Sequence, residues 1–153
     1  MLSIGNDIID LQLAKMQSNW QRKGFLEKQF TITEQQEILK AKNPFLQVWL
    51  FWAIKEAAYK CYTQEYKKRF FAPKKFACKN ITASETIVQI EAKKYYVTTI
   101  LSKHYIYAVA SNIKGKKVIS DVVLADKKVL LSKKIDSKLL ALFSNNTEIQ
   151  KTV

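Results

Sequence analysis

The chain of 153 residues changes its hydrophobic rhythm about halfway along. In the first half, apolar positions recur at spacings of three and four. Phe45, Val48, Trp49, Trp52 and Tyr59 form a wide apolar stripe, and that spacing predicts a helix over roughly residues 44 to 63. Asn43 is suited to cap this helix and Pro44 to open it. Thr31 and Glu34 have the spacing of a capping box, which predicts a shorter helix from near Thr33 to about Lys42. Ahead of it lies a helical stretch over roughly residues 10 to 28. A short strand from Met1 to Ile4 comes first, closed by a turn at Gly5-Asn6-Asp7. In the second half the rhythm shortens to two. ITASETIVQIEA, KYYVTTILS, YIYAVAS and KKVISDVVLA are β-branched and aromatic runs that predict strands, with Lys114-Gly115-Lys116 as the hairpin turn between the last two. Helices followed by an antiparallel sheet predict an α+β fold.

With only three Gly and two Pro, the chain has no linker-like stretch, no internal repeat and no low-complexity block. One domain over residues 1–153 is expected. The tail from about residue 126, which includes VLLSKKIDSKLLALF, is a C-terminal extension that can hold an extra strand and helix. Hydrophobic residues at 48% and charged residues at 25% suggest neither a disordered chain nor a membrane protein. No apolar run reaches the ~18 residues of a membrane span, and MLSIGNDIID lacks the pattern of a secretion signal, so cytoplasmic residence is expected. Cys61 and Cys78 have neither metal-binding nor redox spacing and read as idle thiols.

The net charge of +13 changes the picture more, because it calls for an anionic partner: nucleic acid, a phosphorylated cofactor or an acidic protein. The 26 basic residues include only two arginines, Arg22 and Arg69. Reading base edges leans on bidentate arginine, so sequence-specific DNA recognition is disfavoured. A module that stacks bases on Tyr and Phe remains an alternative.

WLFWAIKEAAYK, residues 49–60, sets two lysines and a glutamate in the most aromatic part of the chain. Trp52, Glu56 and Lys60 are spaced by four and share one helix edge, with Lys55 beside them. Asp7 and Glu56 are two carboxylates that can hold Mg²⁺, which takes its remaining ligands from water and substrate phosphates. The plainer alternatives are a turn or cap role for Asp7 and an i,i+4 ion pair between Glu56 and Lys60.

The succession IGNDIIDL, TITE, WAIKEAAYK resembles the 4′-phosphopantetheinyl transferase superfamily, closest to its short holo-[acyl-carrier-protein] synthase branch. Gly5, Asp7 and Ile8 match its G-x-D-I motif. Trp52, Lys55, Glu56, Ala57 and Lys60 match W/F-x-x-K-E-A-x-x-K, and Thr31 and Glu34 match the L-T-x-x-E segment between them. The resemblance covers roughly residues 2 to 62 and extends less clearly through YIYAVAS. It implies a phosphopantetheinyl-transferase-like fold holding a single copy of the half-domain unit. It also implies Mg²⁺-dependent transfer of the phosphopantetheine arm of coenzyme A to a serine of an apo acyl or peptidyl carrier protein, releasing adenosine 3′,5′-bisphosphate.

On that resemblance Asp7 and Glu56 are the metal ligands, and Glu56 and Lys60 the catalytic residues, with Glu56 or a metal-bound water as the base. Lys55, Lys60, Lys74 and Lys75 are the expected coenzyme A contacts, Lys74 and Lys75 for the 3′-phosphate. For Lys55 a salt bridge supporting the helix is the alternative, and for Lys74 and Lys75 a solvated basic loop. Lys15, Arg22, Lys23 and Lys28 are expected to meet an acidic carrier. One set of motifs in one chain implies a homo-oligomer, a trimer or dimer. Departures from the pattern include Ile9 where longer members carry an acidic ligand, Trp52 in the longer branch's usage, and His104 one place out of the short branch's register. A non-catalytic carrier-binding relative is the second alternative.

Overall fold

Asp10 ends the first strand and starts the first helix. Its Oδ1 accepts from the backbone N–H groups of Gln12 at 2.9 Å and Leu13 at 3.0 Å, the arrangement that satisfies the open donors of a helix N-terminus. The computed structural model describes residues 1–70, 72–79, 81–118 and 120–122. The elements are β1 (Ile4–Asp10), α1 (Leu11–Gln17), α2 (Phe25–Gln29), α3 (Ile32–Lys40), α4 (Pro44–Tyr66), a 3-10 turn Pro73–Lys75, β2 (Ala77–Lys79), β3 (Glu85–Ile90), β4 (Lys93–Leu101) and β5 (Tyr105–Ser111). The chain divides into two units, Met1–Lys116 and Lys117–Val153, and all these elements belong to the first.

The five strands form one antiparallel sheet in the order β1-β5-β4-β3-β2, and with the helices they make the expected α+β fold. The register aligns Asp7 with Ala108 and Gly5 with Ala110 on β5. Successive residues of a strand face opposite ways, so Gly5, Asp7 and Ile9 share the face that packs on α4. A Cβ built on Gly5 would meet Ala57 O at 2.1 Å, Cys61 N at 2.5 Å and Lys60 Cβ at 3.0 Å. Only glycine lets β1 lie this close to α4.

Three expectations are corrected. Gly5-Asn6-Asp7 is the interior of β1 and not a turn, because pairing with β5 takes up its backbone groups and the glycine is needed for close approach. The single helix over residues 10 to 28 is two short helices; the chain leaves α1 at Ser18 and passes through Gly24 in the left-handed region at φ 81° before α2, a conformation that no α-helix continues through. In the basic segment YKKRFFAPKKFACK lies the unforeseen strand β2. Gly115, with φ 70°, does form a turn, but residues 116–118 and 120–122 are not in a strand. The rest of KKVISDVVLA, Ile119 and residues 123–125, lies outside the described residues, as does the extension from about 126.

Helix α4 runs through the middle of the core. Val48, Phe51, Ala53, Ile54, Ala57, Ala58 and Cys61 are all fully buried, so the helix is apolar on more than the one stripe expected. The reason is that the sheet covers one side, while α2, α3 and the 3-10 turn cover others. Phe25, Phe30, Trp49 and Trp52 pack ring against ring beneath α2 and α3.

Candidate functional site

Close packing of β1 on α4 brings Asp7 to the residues at positions 56 and 60. The Lys60 ammonium donates to Asp7 Oδ1 at 2.8 Å, with the Asp7 side chain 14% and the Lys60 side chain 46% exposed. Burial holds the Asp7 carboxyl above the usual carboxylate range, against the opposing hydrogen bond and charge of Lys60. Glu56 is also raised, first by burial and then by the negative charge of Asp7, with Lys60 pulling the other way. The plainer alternative, an i,i+4 pair of Glu56 with Lys60, is not formed: Lys60 pairs with Asp7 across two elements, and Glu56 makes no salt bridge among the described residues.

Burial is what raises both carboxyls, with the charge of Asp7 adding to the rise at Glu56, and one lysine faces the two. Such a donor set suits a hard divalent cation that completes its shell with water and phosphate oxygens. Among the described residues no group of three or more His, Cys, Asp or Glu side chains converges, so Asp7 and Glu56 would be its protein ligands. Lys60 can turn its exposed ammonium from Asp7 to an incoming phosphate.

Lys55 points elsewhere. It is 2% exposed, and its Nζ meets Glu34 Oε2 at 2.8 Å, Pro73 O at 2.9 Å and Phe76 O at 2.8 Å. Of the two roles weighed for it, the salt bridge is the one formed, and all three ammonium donors are engaged within the protein. Glu34 receives more than Lys55: its Oε2 also accepts from Thr31 N at 2.8 Å, completing the capping box, and its Oε1 accepts from Cys78 N at 2.9 Å. The sequence marked Glu34 as a cap and a motif residue but not as the partner of a buried lysine. A lysine set among fully apolar helix positions was the available signal, since a buried ammonium needs a partner.

Lys74 and Lys75 are exposed on the 3-10 turn. Lys75 Nζ lies 5.6 Å from the centre of the Phe70 ring. A shallow pocket between this turn and α4 is lined by Lys55, Glu56, Tyr59, Ala72, Pro73 and Phe76, so the first residue of the turn and Glu56 border one depression. His104 is exposed in the β4–β5 connection, where its carbonyl accepts from Leu11 N at 3.0 Å. That is beyond the end of β1, several residues from the level of Asp7. Cys61 is buried, donating to Ser3 O at 3.2 Å, and burial pushes its thiol up to about 11; Cys78 is likewise a free thiol, raised by burial.

A sheet packed on a long helix thus brings two carboxylates and a lysine together at its seam, with a basic turn on the same helix's flank. Residues 3–117 match the sequence profile of the 4′-phosphopantetheinyl transferase superfamily, and the chain belongs to it. Compared with curated proteins by sequence, it has no match. Among solved structures it is similar to the apo acyl-carrier-protein synthase of Chronobacterium ammoniagenes, at 15% identity and a TM-score of 0.59 over 72% of this chain and 95% of that one. The coenzyme A complex of the synthase from the same source gives 13% identity and a TM-score of 0.57 over 72% and 96%. The Thermotoga maritima holo-[acyl-carrier-protein] synthase gives 14% and 0.56 over 88% of this chain and 75% of that one.

Proposed function

We propose that the protein transfers the 4′-phosphopantetheine arm of coenzyme A to a serine of an apo acyl or peptidyl carrier protein, releasing adenosine 3′,5′-bisphosphate. The observation that carries this reading is the meeting of Asp7, Glu56 and Lys60, at positions matching both motifs, in a chain of this superfamily. The serine oxygen bonds to the phosphorus bearing the pantetheine arm, and the bond from that phosphorus to the bridging oxygen breaks. Asp7 and Glu56 would hold Mg²⁺, which when bound supplies Lewis-acid neutralisation of the pyrophosphate charge. Glu56, a carboxyl raised above its ordinary range, takes the serine proton. Lys60 neutralises charge on the phosphate oxygens and the leaving group. Lys74 and Lys75, exposed on the turn whose Pro73 lines that pocket, reach for the 3′-phosphate.

The partner surfaces belong to the same reading. Helix α1 leaves Leu13 48% and Met16 74% exposed beside Lys15, and Arg22, Lys23 and Lys28 are exposed in and ahead of α2. An apolar patch set among cations supports docking of an acidic carrier. On the sheet face away from α4, Ile8 and Ile100 are 50% and 54% exposed on either side of Tyr107 in register. This apolar row supports a homo-oligomer, a trimer or dimer. No described helix is long and apolar enough to cross a membrane, and cytoplasmic residence goes with the proposed substrates. The test is mass spectrometry of apo carrier proteins incubated with the protein, coenzyme A and Mg²⁺. A gain of one phosphopantetheine, lost with Asp7→Ala and Glu56→Ala, is expected. Coenzyme A binding with no gain on any carrier would overturn the reading.

A further inference from the structure

We propose that the buried pair Glu34–Lys55 is a positioning device that presents the Lys74-Lys75 turn to the 3′-phosphate end of coenzyme A, so that both residues set specificity for that phosphate without touching it. The inference rests on the proposed function and gives a role to the one motif lysine that the site at Asp7 does not use. Lys55 Nζ bonds the carbonyls at both flanks of the turn, Pro73 O at 2.9 Å and Phe76 O at 2.8 Å. Glu34 Oε1 then fixes the chain two residues further on through Cys78 N at 2.9 Å, while its Oε2 is anchored to Thr31 N at 2.8 Å. One ion pair therefore ties α3, α4, the 3-10 turn and β2 to a single point, with side chains only 3% and 2% exposed.

The position of this point gives it a consequence for the ligand. Between Pro73 and Phe76 stand only Lys74 and Lys75, both exposed. Pro73 and Phe76 also line the pocket that Glu56 borders, and Glu56 follows Lys55 directly in the chain. Lys55 thus fixes the distance between the two lysines and the carboxylate site from the protein interior. Exposed lysines on an untethered loop would lose rotamer and backbone freedom on meeting a phosphate, and a turn already held at both flanks gives up less. A pair whose task was only to stabilise the fold would affect all ligands alike; a pair that places two cations should affect one phosphate.

The experiment compares the full-length protein with Glu34→Gln, Lys55→Met and the pair Lys74→Ala/Lys75→Ala. Calorimetry with Mg²⁺ reads the affinities for coenzyme A and dephospho-coenzyme A, Mn²⁺ resonance reads the metal site, and circular dichroism reads the fold. Glu34→Gln keeps an amide oxygen for Cys78 N, so it carries the test should Lys55→Met fail to fold. We expect about a tenfold loss for coenzyme A in folded Glu34 and Lys55 variants, with dephospho-coenzyme A within about twofold and Mn²⁺ binding unchanged. Equal losses for the two nucleotides, or an undiminished preference for coenzyme A in variants that do fold, would overturn the inference. If Lys74→Ala/Lys75→Ala removes the preference in that same experiment, the reading of the basic turn survives that failure. A wild-type protein indifferent to the 3′-phosphate would take down both.

Discussion

Gly5→Ala isolates the contact that builds the site. The glycine has an ordinary strand conformation, so alanine meets no backbone penalty there; the positive-φ glycines are Gly24 and Gly115. What alanine meets is α4. Its Cβ would lie 2.1 Å from Ala57 O and 2.5 Å from Cys61 N, both backbone atoms that cannot rotate away, where ordinary contact begins at 3.4 Å. Strand and helix must part by about 1 Å, and overpacking of this kind costs about 1–3 kcal/mol. For a unit of this size that is a fall in melting temperature of about 4–12 °C. The same displacement moves Asp7, two residues along the strand, away from Glu56 and Lys60, and a misplacement of about 1 Å costs about 10²-fold in turnover. Thermal denaturation and the carrier-loading assay read the two effects. Gly115→Ala is the control: nothing lies within 4 Å of its added Cβ, but its φ of +70° strains the backbone, so it should lose about 1 kcal/mol and keep its turnover. A Gly5→Ala protein that melts within about 1 °C of wild type and loads carriers at the wild-type rate would refute the close-approach argument.

Lys60→Met removes the cation that sits on Asp7 in the absence of substrate, so Mn²⁺ binding without coenzyme A should tighten a few-fold, about what a half-exposed pair is worth, while transfer falls. Weaker Mn²⁺ binding would show that Lys60 does not compete with the metal. Because burial raises Asp7 and Glu56 above their unfolded pKa values, the folded chain binds more protons than the unfolded one over that interval, and stability should fall as pH rises through it. Glu56→Gln should lessen this slope and raise the melting temperature at neutral pH while abolishing transfer, and a slope equal to wild type would count against a Glu56 carboxyl raised by burial. Lys55→Met should cost about 3–5 kcal/mol. The double variant Glu34→Met/Lys55→Met should recover little of that, because Pro73 O, Phe76 O, Cys78 N and Thr31 N would all remain without their side-chain partners; full recovery in chemical denaturation would mean that these backbone groups find others.

The legible parts of this protein were those whose physics is local. The capping box of Thr31 and Glu34, the Asn43-Pro44 start of α4 and the period-two runs of β3, β4 and β5 depend on neighbours a few residues away, and each formed. Asp7, Glu56 and Lys60 were also named from sequence, because their family spacing records a convergence that spacing alone cannot explain. Misreadings fell where one local signal had two physical causes. Glycine beside asparagine signals a turn when the backbone needs a positive φ, but Gly5 answers a different need, the approach of a helix backbone, and only the partner element reveals which applies. Lys55 and Glu56 are adjacent in sequence and both charged, yet a turn of 100° per residue sends one into the core and the other to the seam with β1. Hence a motif that reads as one cluster of charge in one dimension separates in the fold. Its outer half, Glu56 and Lys60, meets Asp7, and its inner half, Lys55, is spent with Glu34 on holding the chain that carries the next two lysines. In this chain the adjacency of Lys55 and Glu56 therefore sets a single helical step between the carboxylate and the turn that Lys55 holds at Pro73 O and Phe76 O.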